Sequence, residues 1–253
     1  MPRADDVAVK AALRVPVARL EAGALRLDAR ASRYVARVHR LSAGAPLVLF
    51  SAGHEADAVV TRAGPDDVEV LVSSPRPAPP AREVTLVQAI GKSDKTDSIV
   101  RDATELGATC VVPVTTARTV PRLGERAEAR LSRWRAIALD AARQCGRAAP
   151  PEICAPEPLA AALARLACAR VLLTPGAPSP LAPLVSGRES LMIAVGPEGG
   201  FSPEEQRDAE ALGWTLARLG AAVLRTETVA AAALGAALVL AEIDPCALPS
   251  CRD

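Results

Sequence analysis

Five residues, Gly196-Pro197-Glu198-Gly199-Gly200, have the types and spacing that suit ligand chemistry. Glycine lets a ligand come close to the main chain, so that backbone N–H and C=O groups can read it. The run is not spaced G-x-G-x-x-G and carries no Walker lysine, which argues against a dinucleotide loop or a P-loop. Standing alone it would serve a phosphate, a nucleoside cofactor or simply a tight turn.

The elements that must hold this loop are legible on either side. Leu191 to Val195 is an apolar run of strand type that ends at Gly196. Behind the loop stands Ser202-Pro203-Glu204-Glu205. Ser202 suits a helix N-cap, Pro203 the first helical position, and Glu205 the return contact of a capping box. The stretch therefore reads strand, Gly-rich loop, helix, which puts the loop at the carboxyl end of a sheet strand.

The same alternation runs from Glu83 to the end of the chain. A strand over Glu83 to Ile90 and a polar loop lead to a helix ending near Leu106, with Gly107 as its C-cap. Cys110 to Val114 is the next strand, which completes a βαβ unit. An arginine-rich helix spans Leu123 to Cys145 and is stopped by Gly146 and the prolines at 150 and 151. A short helix near Leu159 to Cys168 and a strand over Arg170 to Leu173 precede the focal strand. Trp214 to Leu219 is a further strand, Gly220 to Arg225 a loop, and Thr226 to about Ile243 an apolar, buried closing helix. Alternating strands and helices predict an α/β fold with a mostly parallel sheet covered on both faces.

Residues 1–72 differ. Strand-like runs at Pro46 to Phe50, Ala56 to Thr61 and Asp67 to Val72, separated by glycine turns, suggest a small antiparallel barrel. Before them, Asp28 to Leu41 places Arg30, Arg33, Arg37 and Arg40 along one helical side. Such a row is either a solvated face or a phosphate-contacting stripe. Four prolines within residues 73–82 mark a semi-rigid linker between the two parts. This gives an N-terminal domain over 1–72, a linker over 73–82 and a larger domain over 83–253.

The chain has 30 Lys and Arg against 29 Asp and Glu, so any nucleic-acid surface must be local. The six cysteines, at 110, 145, 154, 168, 246 and 251, form no C-x-x-C pair and no metal-like spacing with the two histidines. They read as reduced thiols, and no metal is expected. MPRADDVAVK contains acidic residues and lacks the apolar core of a signal peptide, and the uncharged run Thr228 to Ala241 is too short to span a bilayer. A soluble, cytoplasmic protein with no membrane partner is expected.

Four separated segments resemble one family. GKSDKTDSIVRDATELGA (91–108), RWRAIALDAARQCGRAAPPEI (133–153), VGPEGGFSPEE (195–205) and LGAAVLRTETVAAAAL (219–234) resemble, in order and spacing, the signature of the RsmE family. These are the 16S ribosomal RNA uridine-N3 methyltransferases. A weaker likeness covers YVARVHRLSAGAPLVLF in the first domain. The chain departs from the family pattern at Asp102, at Val229 and in the Ser51-Ala52-Gly53 turn.

The resemblance implies a SPOUT-type domain with a C-terminal trefoil knot, behind a PUA-like RNA-binding β-barrel. It implies a homodimer that uses S-adenosylmethionine to methylate a uridine in the decoding region of 16S rRNA within the small ribosomal subunit. The rival readings are a methyltransferase acting on tRNA or on a ribose 2′-OH, and a non-catalytic RNA-binding assembly factor. The cofactor is expected on three loops. These bring Leu173 and Thr174; Gly196, Pro197, Glu198, Gly199 and Gly200; and Leu219, Gly220, Leu224, Arg225, Thr226 and Thr228. Uridine N3 must lose a proton, so a cation or a base is needed nearby. Arg225 is the first candidate cation and Arg118 the second, while Glu198 suits a base or an orienting group. RNA contacts are expected from the arginine row and from Lys92, Lys95, Arg143, Gln144 and Arg147.

Overall fold

The computed structural model describes residues 13–51, 53–78, 82–91, 94–119 and 127–241. The chain divides into two compact units, one made of Met1–Pro80 with Ala142–Ala149, the other of Ala81–Ala141 with Pro150–Asp253. The sequence marks the junction near residues 73–82. It gives no sign that residues 142–149 pack with the first unit.

The first unit contains β1 (Leu13–Pro16), β2 (Gly23–Arg26), α1 (Ala29–Arg33), β3 (Pro46–Ser51), β4 (His54–Ala63), β5 (Val68–Val72) and β6 (Arg76–Pro77). Its sheet runs β1-β3-β4-β5-β2, with β6 on β4. β1 pairs with β3 in parallel and the other ladders are antiparallel. Alternation explains the burial. Along β4, Ala56, Ala58 and Val60 face the core while Asp57, Val59 and Thr61 face out. Asp28 caps α1 by accepting from Ala31 N at 2.8 Å. The α-helix expected to reach Leu41 does not persist, because Tyr34–Val38 is a π-helical turn closed by His39 N donating to Tyr34 O. That wider turn removes the 3.6-residue spacing on which a straight arginine row depends.

The second unit contains β7 (Glu83–Ala89), α2 (Lys95–Glu105), β8 (Cys110–Thr115), α3 (Ala127–Cys145), β9 (Glu152–Ile153), β10 (Glu157–Pro158), α4 (Leu159–Leu163), β11 (Ala169–Leu173), β12 (Ser179–Pro180), α5 (Ala182–Val185), β13 (Ser190–Val195), α6 (Pro203–Ala211), β14 (Thr215–Arg218) and α7 (Thr226–Ala241). The expected start of α3 at Leu123 lies outside the described residues. The sheet order is β10-β8-β7-β13-β11-β14-β12, with β9 on β8, and every described ladder is parallel.

β13 sits between β7 and β11, and Leu191 to Val195 are all buried. Its side chains split between two cores. Leu191, Ile193 and Val195 join one that includes Ile99, Trp134 and Leu234 from α2, α3 and α7. Met192 and Ala194 join the other, with Leu163, Ala209 and Trp214. Both faces are therefore covered, which is why the strand reads as an unbroken apolar run. α7 is buried only along a stripe of Thr226, Ala230, Ala233, Leu234 and Ala237, whereas Leu238 and Val239 are exposed. Full burial of this helix, as its composition suggests, does not occur. Among the described residues no helix is long and apolar enough to cross a membrane.

Candidate active site

The loops that follow β11, β13 and β14 converge at the carboxyl ends of these neighbouring strands around a cavity of about 310 Å³. Every residue expected at a cofactor lines it except Gly199 and Thr228. Lys95, Arg218, Val223 and Val229 line it as well.

The loop after β13 is clamped from several directions. The capping box on α6 forms as its sequence suggests. Ser202 Oγ accepts from Glu205 N at 3.1 Å, and Glu205 Oε2 accepts from Ser202 N at 2.7 Å. The second oxygen of Glu205 accepts from Ala117 N at 2.7 Å, tying the segment after β8 to the same corner. Arg118 Nη1 donates to Gly199 O at 2.6 Å and to Phe201 O at 3.4 Å. On the opposite side, Thr226 Oγ1 donates to Gly196 O at 2.7 Å and accepts from Gln88 Nε2 at 3.1 Å. Gln88 is fully buried and also donates to Ala89 O at 2.9 Å.

The glycines divide the work. A Cβ on Gly196 would stand 3.2 Å from Phe201 Cδ2 and 3.3 Å from the Gly200 backbone, so this glycine permits the loop to fold on itself. Gly200 has φ +68, a backbone region that side chains disfavour. Gly200 and Gly220 suit the expectation of open main chain, since nothing lies within 4 Å of the would-be Cβ of either.

Charge is concentrated on one rim. Lys95 Nζ lies 3.0 Å from Glu198 Oε1 and 3.5 Å from Glu227 Oε2. The hydrogen bond to Glu198, followed by the charges of both carboxylates, raises the Lys95 pKa above its ordinary value. A lysine in the first helical turn has no help from the dipole. These carboxylates supply a reason for it other than the RNA contact expected from sequence. Arg225 is exposed and lines the cavity, and its side chain makes no hydrogen bond or ion pair among the described residues. Arg118 does not line the cavity. Its guanidinium is occupied with the carbonyls of Gly199 and Phe201.

The other residues expected at RNA are spread out. Lys92 lies outside the described residues. Arg30, Arg33, Arg143 and Gln144 line a larger cavity of about 440 Å³ in the first unit, together with Asp28 and Tyr34. Arg37 pairs with Asp66 at 2.7 Å, and Arg33 lies 3.8 Å from the same carboxylate. Arg40 does not line that cavity and carries a positive φ of 53. Arg147 is half-buried, and desolvation lowers its pKa. Gln88 was not anticipated as a site residue. The one sequence signal for Gln88 was an amide inside the apolar run VTLVQAI.

The profile of the RNA methyltransferase domain matches residues 78–238. The Mycobacterium tuberculosis protein named ribosomal RNA small subunit methyltransferase E is 36% identical over 217 residues, covering 82% of this chain and 83% of the relative. A Bacillus subtilis protein of the same name is 30% identical over 233 residues, covering 85% and 90% respectively. Among solved structures, ribosomal RNA small subunit methyltransferase E of Neisseria gonorrhoeae, bound to S-adenosylmethionine, superposes with a TM-score of 0.71 at 26% identity, covering 90% of this chain and 98% of that one. A Legionella pneumophila putative methyltransferase, also with the cofactor bound, gives 0.65 at 29% identity, covering 90% and 97%.

Proposed function

Since the chain belongs to the RsmE family of RNA methyltransferases, we propose that it uses S-adenosylmethionine to methylate N3 of one uridine in the decoding region of 16S rRNA, within the small ribosomal subunit. The observation that carries the reading is the meeting of three matched loops around one cavity at the carboxyl ends of adjacent strands, where open α/β sheets bind ligands.

The cavity suits the cofactor. Leu173, Leu219 and Leu224 offer apolar wall, three loops offer main-chain donors and acceptors, and Glu198 supplies a carboxylate near a cation. Bound there, S-adenosylmethionine supplies an electrophilic methyl group on a sulfonium. The protein's residues do the rest. Arg225, exposed on the cavity wall, stabilises the negative charge that develops on the uracil carbonyls as N3 gives up its proton. Glu198, held beside Lys95 at 3.0 Å, is the carboxylate placed to take that proton or to orient Arg225. Arg118 positions the loop through the Gly199 carbonyl. Because uridine N3 is engaged in a base pair, the base must be presented unpaired or flipped.

The same reading gives the first unit the role of a PUA-like RNA-binding barrel and the closing segment that of a trefoil knot. Arg30, Arg33, Arg143 and Gln144 would contact RNA around the larger cavity. It also makes the protein a cytoplasmic homodimer. Val223, Leu238 and Val239 are exposed apolar side chains that a second copy would cover.

The test is transfer of labelled methyl to small subunits from a strain lacking the homologous gene, with the product mapped by nucleoside mass spectrometry. A single N3-methyluridine supports the proposal. Methyl on tRNA or on a ribose 2′-OH overturns the target, and absence of both transfer and cofactor binding favours an assembly factor.

A further inference from the structure

The six cysteines show no paired spacing along the sequence, but β8 and β9 bring two of them together. Cys110 is the register partner of Glu152, and Cys154 lies two residues further along, its N–H donating to Val111 O at 3.0 Å. Residues two apart on a strand share a face, so Cys110, Glu152 and Cys154 project together. The two sulfurs are 3.6 Å apart, and Cys154 Sγ is 3.8 Å from Glu152 Oε1. All three donor atoms lie within 4.8 Å of one another. The cysteines are half-buried, while Glu152 is exposed at the mouth.

We propose that Cys110, Cys154 and Glu152 bind one zinc-type divalent cation, at a site distinct from the methyl-transfer centre. Tetrahedral zinc with bonds of about 2.3 Å to sulfur and about 2.1 Å to oxygen needs S···S near ~3.8 Å and S···O near ~3.6 Å, close to the spacings already present. Two sulfurs and one oxygen form the borderline-soft donor set that zinc and cadmium favour, whereas magnesium and calcium require oxygen. Three protein donors leave the fourth position to water.

A disulfide fits less well. In a parallel ladder, strands about 4.8 Å apart and an offset of two residues at about 3.3 Å each put diagonal Cα atoms about 8 Å apart, beyond the ~6.8 Å upper end for a disulfide. Charge also balances. Two thiolates and a carboxylate around a dication leave one negative charge, and Arg165 Nη1 stands 3.8 Å from Cys154 Sγ to offset it. Arg165 is itself anchored to Glu157 at 3.0 Å, as an outer-shell group should be. Burial, with Cys154 and Glu152 adding to it, pushes the Cys110 thiol up to about 12. Zinc ligates the thiolate form of cysteine, so its binding is accompanied by proton release to solvent.

The experiment uses the full chain, reduced and stripped of metal by a chelator. Cadmium is titrated in, with thiolate-to-metal absorbance as the readout, and zinc affinity is measured by competition with a chromophoric chelator. The expected result is one ion per chain and protection of two thiols from alkylation, at Cys110 and Cys154 by peptide mapping. C110S and C154S should each weaken zinc binding by about 100-fold or more, and E152Q by about tenfold. C145S, C168S and the C246S/C251S pair should leave it unchanged. E152Q alters an exposed side chain, so it tests the site even where a cysteine variant fails to fold by circular dichroism. Stoichiometric binding that survives C110S/C154S, protection mapping to other cysteines, or a folded wild type with free thiols that takes up no cadmium would each overturn the proposal.

Discussion

Replacing Thr226 by valine isolates the clamp behind the cofactor loop, because the shapes match and only the hydroxyl is lost. That hydroxyl donates to Gly196 O at 2.7 Å and accepts from Gln88 Nε2 at 3.1 Å. Gln88 is fully buried, so its amide would keep the Ala89 carbonyl and lose the partner of its second N–H. An orphaned buried donor costs about 1–3 kcal/mol. The Gly196 carbonyl borders the cavity and can be rehydrated, which limits its loss to the net value of a hydrogen bond, about 0.5–1.5 kcal/mol. Together T226V should destabilise the second unit by about 1.5–4.5 kcal/mol. The part that orders the loop should weaken S-adenosylmethionine binding by a factor of about 2–10. T226S keeps the hydroxyl and should bind like wild type. Urea unfolding followed by tryptophan fluorescence reads the first quantity and calorimetric titration the second. The reasoning fails if T226V stays within about 0.5 kcal/mol of wild type, or if T226S and T226V lose cofactor affinity equally.

R118A should raise the cofactor Kd about tenfold, since it removes the donor to Gly199 O, while R225A should lower kcat by about 100-fold with the Kd little changed; the reverse pattern would exchange the two assignments. G196A should weaken cofactor binding more than G200A, because a Cβ meets Phe201 and Gly200 only at the first position; the second adds φ strain at φ +68, worth about 1–2 kcal/mol of stability. The Lys95–Glu198 pair raises a lysine pKa, so its contribution is complete below the ordinary value of 10.5 and disappears as pH rises through the folded value. The stability difference between wild type and E198Q should accordingly be flat from pH 7 to 9 and shrink above about 10.5; a difference that vanishes between pH 7 and 9 would contradict the pairing.

Local patterning was enough to find the strand under the ligand loop and the helix behind it. Leu191 to Val195 is apolar on both faces because the sheet is covered twice, and Ser202 with Glu205 closes its box within four residues. What the sequence hid depends on tertiary partners. β9, β10 and β12 are two residues long and exist only through pairing with β8 and β14. The register shift into a π-turn at Tyr34 leaves no trace in the periodicity of arginines. The links from Gln88 to Thr226 and from Lys95 to Glu198 each join residues more than 100 positions apart, and no spacing rule reaches that far.

The clamps share one placement. Arg118, Glu205 through Ala117 N, and Thr226 backed by Gln88 all grip the loop through main-chain atoms or from its outer side. Leu173, Leu219 and Leu224 line the cavity, and of these clamping side chains Thr226 alone lines it as well. A binding loop held by its surroundings loses little entropy when it receives a ligand. This separation accounts for a stretch of five residues with three glycines, which would be floppy in isolation, being able to serve as a fixed surface. It also explains why the capping box matters beyond helix stability. Glu205 spends one oxygen on Ser202 and the other on Ala117, so the start of α6 is joined to the Arg118 segment. Loss of that carboxylate should loosen the loop and the arginine together rather than the helix alone.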